Sequence, residues 1–248
     1  MPPRAIDALQ SDRDALLTIC KGIDLPVFSA PSGCEGWSVK DLVAHMGVLF
    51  QLAVDASALP DAEGLSTERA QDLFVESRRS WTPEETVADY ERVSAEALER
   101  LAGLVGQAFE LDLGDLGTYP AELLVNAFAT DHYLHIRADL HAPRGPLTTA
   151  PPSSDEFHLA PVLDWFEAAI PQQNPKLMDG LRGAVEVRLE GTGARTFVIG
   201  RTEPITRLAC EASAFVWAMT QRATWENAGV EANGDLDQIA LLREIHVF

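Results

Sequence analysis

Apolar residues recur at helical spacing through the first 142 positions of the chain and give way to strand-like alternation later. Ile6, Leu9, Leu16, Leu17 and Cys20 predict a first helix from about Arg4 to Lys21. A second helix follows Trp37, with Ser38 and Asp41 placed as a cap pair. Val39, Leu42, Val43, Met46, Leu49, Phe50 and Ala53 mark its apolar side. The third opens on Thr82, with Pro83 at the first helical position and Glu85 three residues after the cap. Val87, Tyr90, Ala97, Leu98, Leu101, Leu104 and Val105 continue it, and Gly106 suits its end. The fourth runs from about Pro120 to His141, where Pro143 stops it. Four amphipathic helices of this length suggest an antiparallel bundle. The polar stretch 58–80 has room for one more short helix.

Residues 143–156, rich in Pro, Ser and Thr, read as a linker, which divides the chain into a domain over 1–142 and another over 157–248. After the linker, the run from Phe157 to Ile170 suits a helix interrupted or started by Pro161. Val185, Val187 and Leu189 alternate with Glu186, Arg188 and Glu190, as in a half-buried strand. Gly191-Thr192-Gly193 suits a turn, and Thr196 to Ile199 a second strand. Cys210 to Gln221 reads as an apolar helix, Val230 to Ala232 as a third strand, and Leu236 to Ile245 as a last helix. The expected fold class is therefore α plus α+β: a helical bundle followed by a small α+β domain.

Composition narrows the functional classes. Of 248 residues, 38 are acidic and 19 are Lys or Arg, a formal charge of −19 that repels nucleic acid and anionic membrane. No apolar run is long enough for a transmembrane helix. The first residues, MPPRAIDALQSDRD, lack the apolar core of a signal peptide. Cys20, Cys34 and Cys210 are odd in number and widely spaced, which fits a reducing cytoplasm better than a disulfide framework. With no CxxC pair, a thiolate zinc site is disfavoured.

The chemistry concentrates in three residues. Asp131 and His135 stand four apart on the fourth predicted helix and so share a face. His45 comes from the second. Two imidazoles and one carboxylate from two helices are a standard set for a catalytic divalent metal. A D-x-x-x-H pair also arises as a surface ion pair or a hydrogen-bonded core pair. His132 is turned about 100° away from that face and reads as a non-ligand. His141 lies where it can cap the helix end. His158 and His246 have no carboxylate or His partner at ligand spacing. Trp37 is placed to pack where the second helix begins. The Gly191–Gly193 turn lacks the helix and third glycine of a dinucleotide fingerprint, and no GxSxG or P-loop motif occurs. Arg222, after the apolar helix, suits either a salt bridge or cap, or bidentate binding of a carboxylate.

Together these residues resemble the mycothiol-dependent maleylpyruvate isomerase family. CEGWSVKDLVAHM is similar to its signature, a Gly-Trp pair, Ser or Thr, then Asp-Leu and a His between apolar residues. AFVWAMTQR, GVEANGD and LDQIALLREI follow the order of the family's second domain. The resemblance implies a DinB-like four-helix bundle and a sterol-carrier-like second domain. It implies a divalent metal, usually zinc, held by His45, Asp131 and His135. Asp131 departs from the family's Glu and is shorter by one methylene. A second departure is Asp139, four residues after His135 where the family commonly has Asp at three. Arg222 aligns with an arginine that serves the active site from the second domain.

The implied mechanism is a thiolate of mycothiol, activated on the metal, attacking a small electrophilic substrate whose carboxylate Arg222 anchors. Release of the thiol gives an isomerase, and its retention an S-transferase. A non-catalytic binding or regulatory protein retaining the bundle is the alternative from another class. A metal-dependent hydrolase, turning over without thiol, is a third. Oligomeric state is not set by these patterns.

Overall fold

The computed structural model describes residues 5–248, so the expected helix start at Arg4 lies outside the described residues. Helix α1 spans Ala5–Gly22, and a single turn, α2, spans Leu25–Phe28. Helix α3, Val39–Asp55, begins on a complete capping box. Ser38 Oγ accepts from the Asp41 amide, and the Asp41 carboxylate accepts from the Ser38 amide. The polar stretch holds α4, Thr67–Glu76. Helix α5, Pro83–Ala102, begins on the second box, between Thr82 and Glu85. It stops at Gly103, so Leu104 and Val105 lie beyond it, and Gly106 takes φ 76° in the turns that follow.

The fourth long helix differs most from expectation. Residues near Pro120 are extended: β2, Thr118–Pro120, pairs antiparallel with β1, Glu110–Asp112. Helix α6 therefore starts at Leu123 and runs to Leu134, and a π turn over His135–Asp139 follows. Helices α1, α3, α5 and α6 pack around one core that includes Leu9, Leu16, Leu42, Met46, Phe50, Val93 and Leu101. The segment after the π turn lies against the bundle: the Leu147 amide donates to the Leu140 carbonyl and Leu147 is buried.

Helix α7, Glu156–Gln173, passes through Pro161 unbroken. A proline in a helix interior removes one hydrogen bond, and burial of Pro161, Leu159, Val162 and Leu163 offsets that loss. A short α8, Pro175–Gly180, precedes the sheet. Its strands are β3, Ala184–Glu190; β4, Arg195–Ile199; β5, Pro204–Glu211; and β6, Glu231–Gly234, in the order β4-β3-β5-β6. The alternation of β3 follows its sequence pattern: Val185, Val187 and Leu189 are buried, and Arg188 and Glu190 exposed. Strand β5 corrects the sequence reading. Thr206, Leu208 and Cys210 alternate inward beside β3, parallel to it, so Cys210 belongs to a strand and the helix is only α9, Ala212–Met219. Helix α10, Leu236–Leu242, closes the fold.

Helices α7 and α9 cover one face of the sheet, with Phe166, Phe215 and Val216 in the second core. That core also takes in Tyr133 and Leu134 from α6, so the bundle and the α+β half meet along α6 and α7. No helix among the described residues is long and apolar enough to cross a membrane.

Candidate metal centre

The junction of α3 and α6 brings His45, Asp131 and His135 together. His45 Nε2 lies 3.0 Å and His135 Nε2 3.2 Å from the same oxygen, Asp131 Oδ1. One donor atom from each residue falls within 4.8 Å of the others. Both imidazoles are buried, and the Asp131 side chain retains 20% exposure. The other carboxylate oxygen, Oδ2, is buried without a hydrogen bond among the described residues. An unpartnered buried carboxylate oxygen is costly unless a cation meets it. Burial alone would raise the Asp131 carboxyl, but the His135 and His45 rings beside it hold it well below the usual carboxylate range. Burial would lower His135, but the Asp131 charge, the hydrogen bonds its ring donates to Asp131 and Asp139, and its contact with Cys34 hold its imidazolium well above the ordinary value.

Support for His135 comes from behind. Its Nδ1 donates to Asp139 Oδ2 at 2.9 Å. Asp139 is fully buried and accepts from Arg222 Nε at 3.0 Å, Arg222 Nη2 at 2.6 Å and Arg144 Nε at 3.0 Å. Burial would raise its carboxyl, but His135 and Arg222 keep it depressed. A carboxylate on the far nitrogen of a metal-binding His fixes the tautomer and turns the Nε2 lone pair outward. This contact is made within the π turn. Because it spends one extra residue on the turn, its fourth residue arrives near where the third would in an α-helix. The spacing of four between His135 and Asp139 therefore places the carboxylate on the flank that a spacing of three gives in an uninterrupted helix.

His45 has no such support. Its Nδ1 is buried without a hydrogen bond among the described residues, and the Trp37 ring packs 4.9 Å from its own. Arg222 reaches Asp139 because Gln221 takes a left-handed φ of 57° after α9 and turns the chain. Gly33, Arg144 and Cys34 carry no signal in the sequence that marks them for the site. The Gly33 amide donates to the Asp139 carbonyl at 2.7 Å, and a Cβ there would lie 2.8 Å from Asp139 Cα. Cys34 Sγ lies 3.7 Å from His135 Nδ1, and with Asp139 it forms a second group of possible metal donors. Two guanidiniums already neutralise Asp139, so a cation on that side would meet their repulsion.

The remaining histidines sort by their partners. His132 is fully buried, with its Nδ1 on the Phe128 carbonyl and 3.7 Å from Asp131 Oδ2, and its Nε2 at Tyr90 Oη. His141 Nδ1 donates to the Ile136 carbonyl at 2.7 Å. His158 corrects the sequence reading: its Nδ1 meets the Asp155 carboxylate at 2.8 Å, and Asp12 lies 3.7 Å from its Nε2.

The family model for the mycothiol maleylpyruvate isomerase N-terminal domain matches residues 9–135. The chain belongs to this family. The matched stretch contains all three donors and stops before Asp139 and Arg222. Two solved structures share the fold beyond that stretch: the mycothiol-dependent maleylpyruvate isomerase and its histidine-to-alanine mutant. Each superposes with a TM-score of 0.60 over 94% of this chain and 93% of its own, at 15% identity. That likeness is one of fold. No curated protein sequence matches the chain.

Proposed function

We propose that this protein is a mycothiol-dependent enzyme, an isomerase or S-transferase, that holds one divalent metal ion through His45, Asp131 and His135. The observation that carries the reading is the convergence of two imidazole nitrogens on one carboxylate oxygen, with a second oxygen unpartnered. Two nitrogens and one carboxylate oxygen suit zinc and leave a coordination position for a small molecule. When bound, such an ion supplies Lewis acidity and favours the thiolate form of a coordinated thiol at neutral pH.

The chain's own residues do the rest. Asp139 keeps the proton of His135 on Nδ1, so Nε2 presents its lone pair. Trp37 walls the His45 side with apolar surface and keeps bulk water off that ring. Arg222 gives Nε and Nη2 to Asp139, while its Nη1 makes no hydrogen bond among the described residues and is free for a substrate carboxylate. Arg222 and Arg144 also supply local positive charge in a chain of net charge −19, which an anionic, electrophilic substrate requires. The surroundings proposed are cytoplasmic, where a free thiol cofactor and three unpaired cysteines persist.

Elemental analysis of the purified protein beside His135→Ala tests the metal. About one zinc or similar ion per chain, lost in the variant, supports the reading; no uptake by wild type after incubation with zinc refutes it. Turnover of small unsaturated or halogenated carboxylates that depends on added mycothiol tests the chemistry.

A further inference from the structure

A buried ion pair joins the π turn that holds His135 to the distant helix α1. Arg137 sits at the centre of the π turn with its side chain 1% exposed. Its Nη1 and Nη2 donate to the two oxygens of Asp12 on α1, at 2.9 and 2.8 Å. Its Nε and Nη2 also reach the Ser153 carbonyl, and its guanidinium lies 4.4 Å over the Tyr133 ring. Burying such a pair gains little stability over apolar side chains of the same volume. What it supplies is a single geometry, because a planar fork meets a carboxylate in one orientation.

The geometry it fixes is an unusual one. The Leu140 amide donates to the His135 carbonyl, five residues back, at 2.9 Å. In an α-helix it would donate to Ile136, whose carbonyl instead receives His141 Nδ1. The π turn ends the helix that α6 begins, and the Arg137–Asp12 pair ties it to α1. Regularising it would rotate Arg137 off Asp12 and move Asp139 from one flank of His135 to the other.

We propose that the Asp12–Arg137 pair is a positioning device for the metal centre: it holds the π turn in the register that sets Asp139 on His135. The inference rests on the metal reading only through its affinity readout.

The test compares wild type, the double variant Asp12→Leu/Arg137→Met, and that double variant with Ala138 deleted. Removing both charges together leaves no unpaired buried charge behind. The double variant should bind zinc about 10–100-fold more weakly by calorimetry, as when an outer-shell partner of a ligand is lost. Its Leu140 amide should exchange hydrogen faster. Deleting Ala138 removes the surplus residue, places the aspartate three positions after His135 and should restore zinc affinity to within a few-fold of wild type. A double variant with wild-type affinity and exchange, or one that the deletion does not rescue, overturns the proposal. If the double variant does not fold, Asp12→Asn carries the same expectations. If wild type takes up no zinc, the metal reading fails, and Leu140 exchange with the His135 Nδ1 proton resonance still decides whether the pair sets the register.

Discussion

Asp139→Asn separates a carboxylate that supports the metal centre from one that merely fills space. The side chain is fully buried and receives four hydrogen bonds from three cationic or polar partners: one from His135, two from Arg222 and one from Arg144. The amide keeps one accepting oxygen and the volume, but removes the negative charge facing two guanidiniums. Breaking a buried pair by neutralising one partner costs about 3–5 kcal/mol. The Arg144 side chain is 35% exposed and recovers hydration, which puts this site at the lower end of that range. At about 2–4 °C per kcal/mol for a chain of this size, the metal-free variant should melt about 6–12 °C below wild type. Its zinc affinity should fall about 10–100-fold, because His135 loses the partner that fixes its tautomer. Thermal denaturation after metal stripping and calorimetric zinc titration read the two effects separately. A variant that melts within about 2 °C of wild type and binds zinc equally well would refute a supporting role for the Asp139 charge.

Other outcomes follow from the same geometry. Gly33→Ala places a methyl against Asp139 Cα and should lower zinc affinity about tenfold, by calorimetry, without touching a donor. His45→Ala should abolish stoichiometric zinc while circular dichroism shows the helices intact; full metal occupancy would remove His45 from the donor set. Asp131→Glu, which restores the family's residue, should keep zinc within about tenfold, and complete loss would show that the shorter reach is required. In the metal-free protein His135 is raised above its ordinary 6.5 and Asp131 lowered below its ordinary 3.8. The contribution of His135 is full below 6.5 and lost as pH rises through its raised folded value; that of Asp131 is present above 3.8 and lost as pH falls through its depressed one. Melting temperatures of the stripped protein should therefore fall above neutral pH, while zinc affinity, which competes with the His135 proton, should rise there. Burial pushes the Cys20 thiol up to about 12 and Cys210 up to about 11, so native alkylation near pH 8 should label Cys34 first by mass spectrometry.

The convergence of the three candidate donors was legible because their helices have local periods and caps. Ser38 and Asp41 start α3 where the sequence places it, and His45 follows from that start. Asp131 and His135 share a face under α-helical spacing alone. What surrounds them was not legible, since it depends on contacts between distant residues. Asp139 meets Arg222 across 83 positions and Arg137 meets Asp12 across 125. The π turn leaves no mark in apolar periodicity; its trace was a spacing of four instead of three after His135. Strand β5 was missed for a related reason. Its inward residues, Thr206, Leu208 and Cys210, include a hydroxyl and a thiol, and their pairing with β3 is parallel and remote.

Arg222 reaches Asp139 from the second half of the chain, and its substitution distinguishes two roles. If it only holds Asp139, any loss acts through His135 and shows as weaker zinc binding. If Nη1 also binds the substrate carboxylate, the loss shows in KM for an anionic substrate. Arg222→Lys keeps a cation near Asp139 but cannot give two parallel donors to one carboxylate and a third to another. A charge-assisted hydrogen bond contributes about 1.5–3 kcal/mol, so KM should rise about 10–150-fold. Zinc affinity should change only a few-fold, since Arg144 and the lysine still neutralise Asp139. A neutral analogue of the substrate should show no such rise in KM. Equal losses on charged and neutral substrates, tracking zinc affinity, would confine Arg222 to holding Asp139.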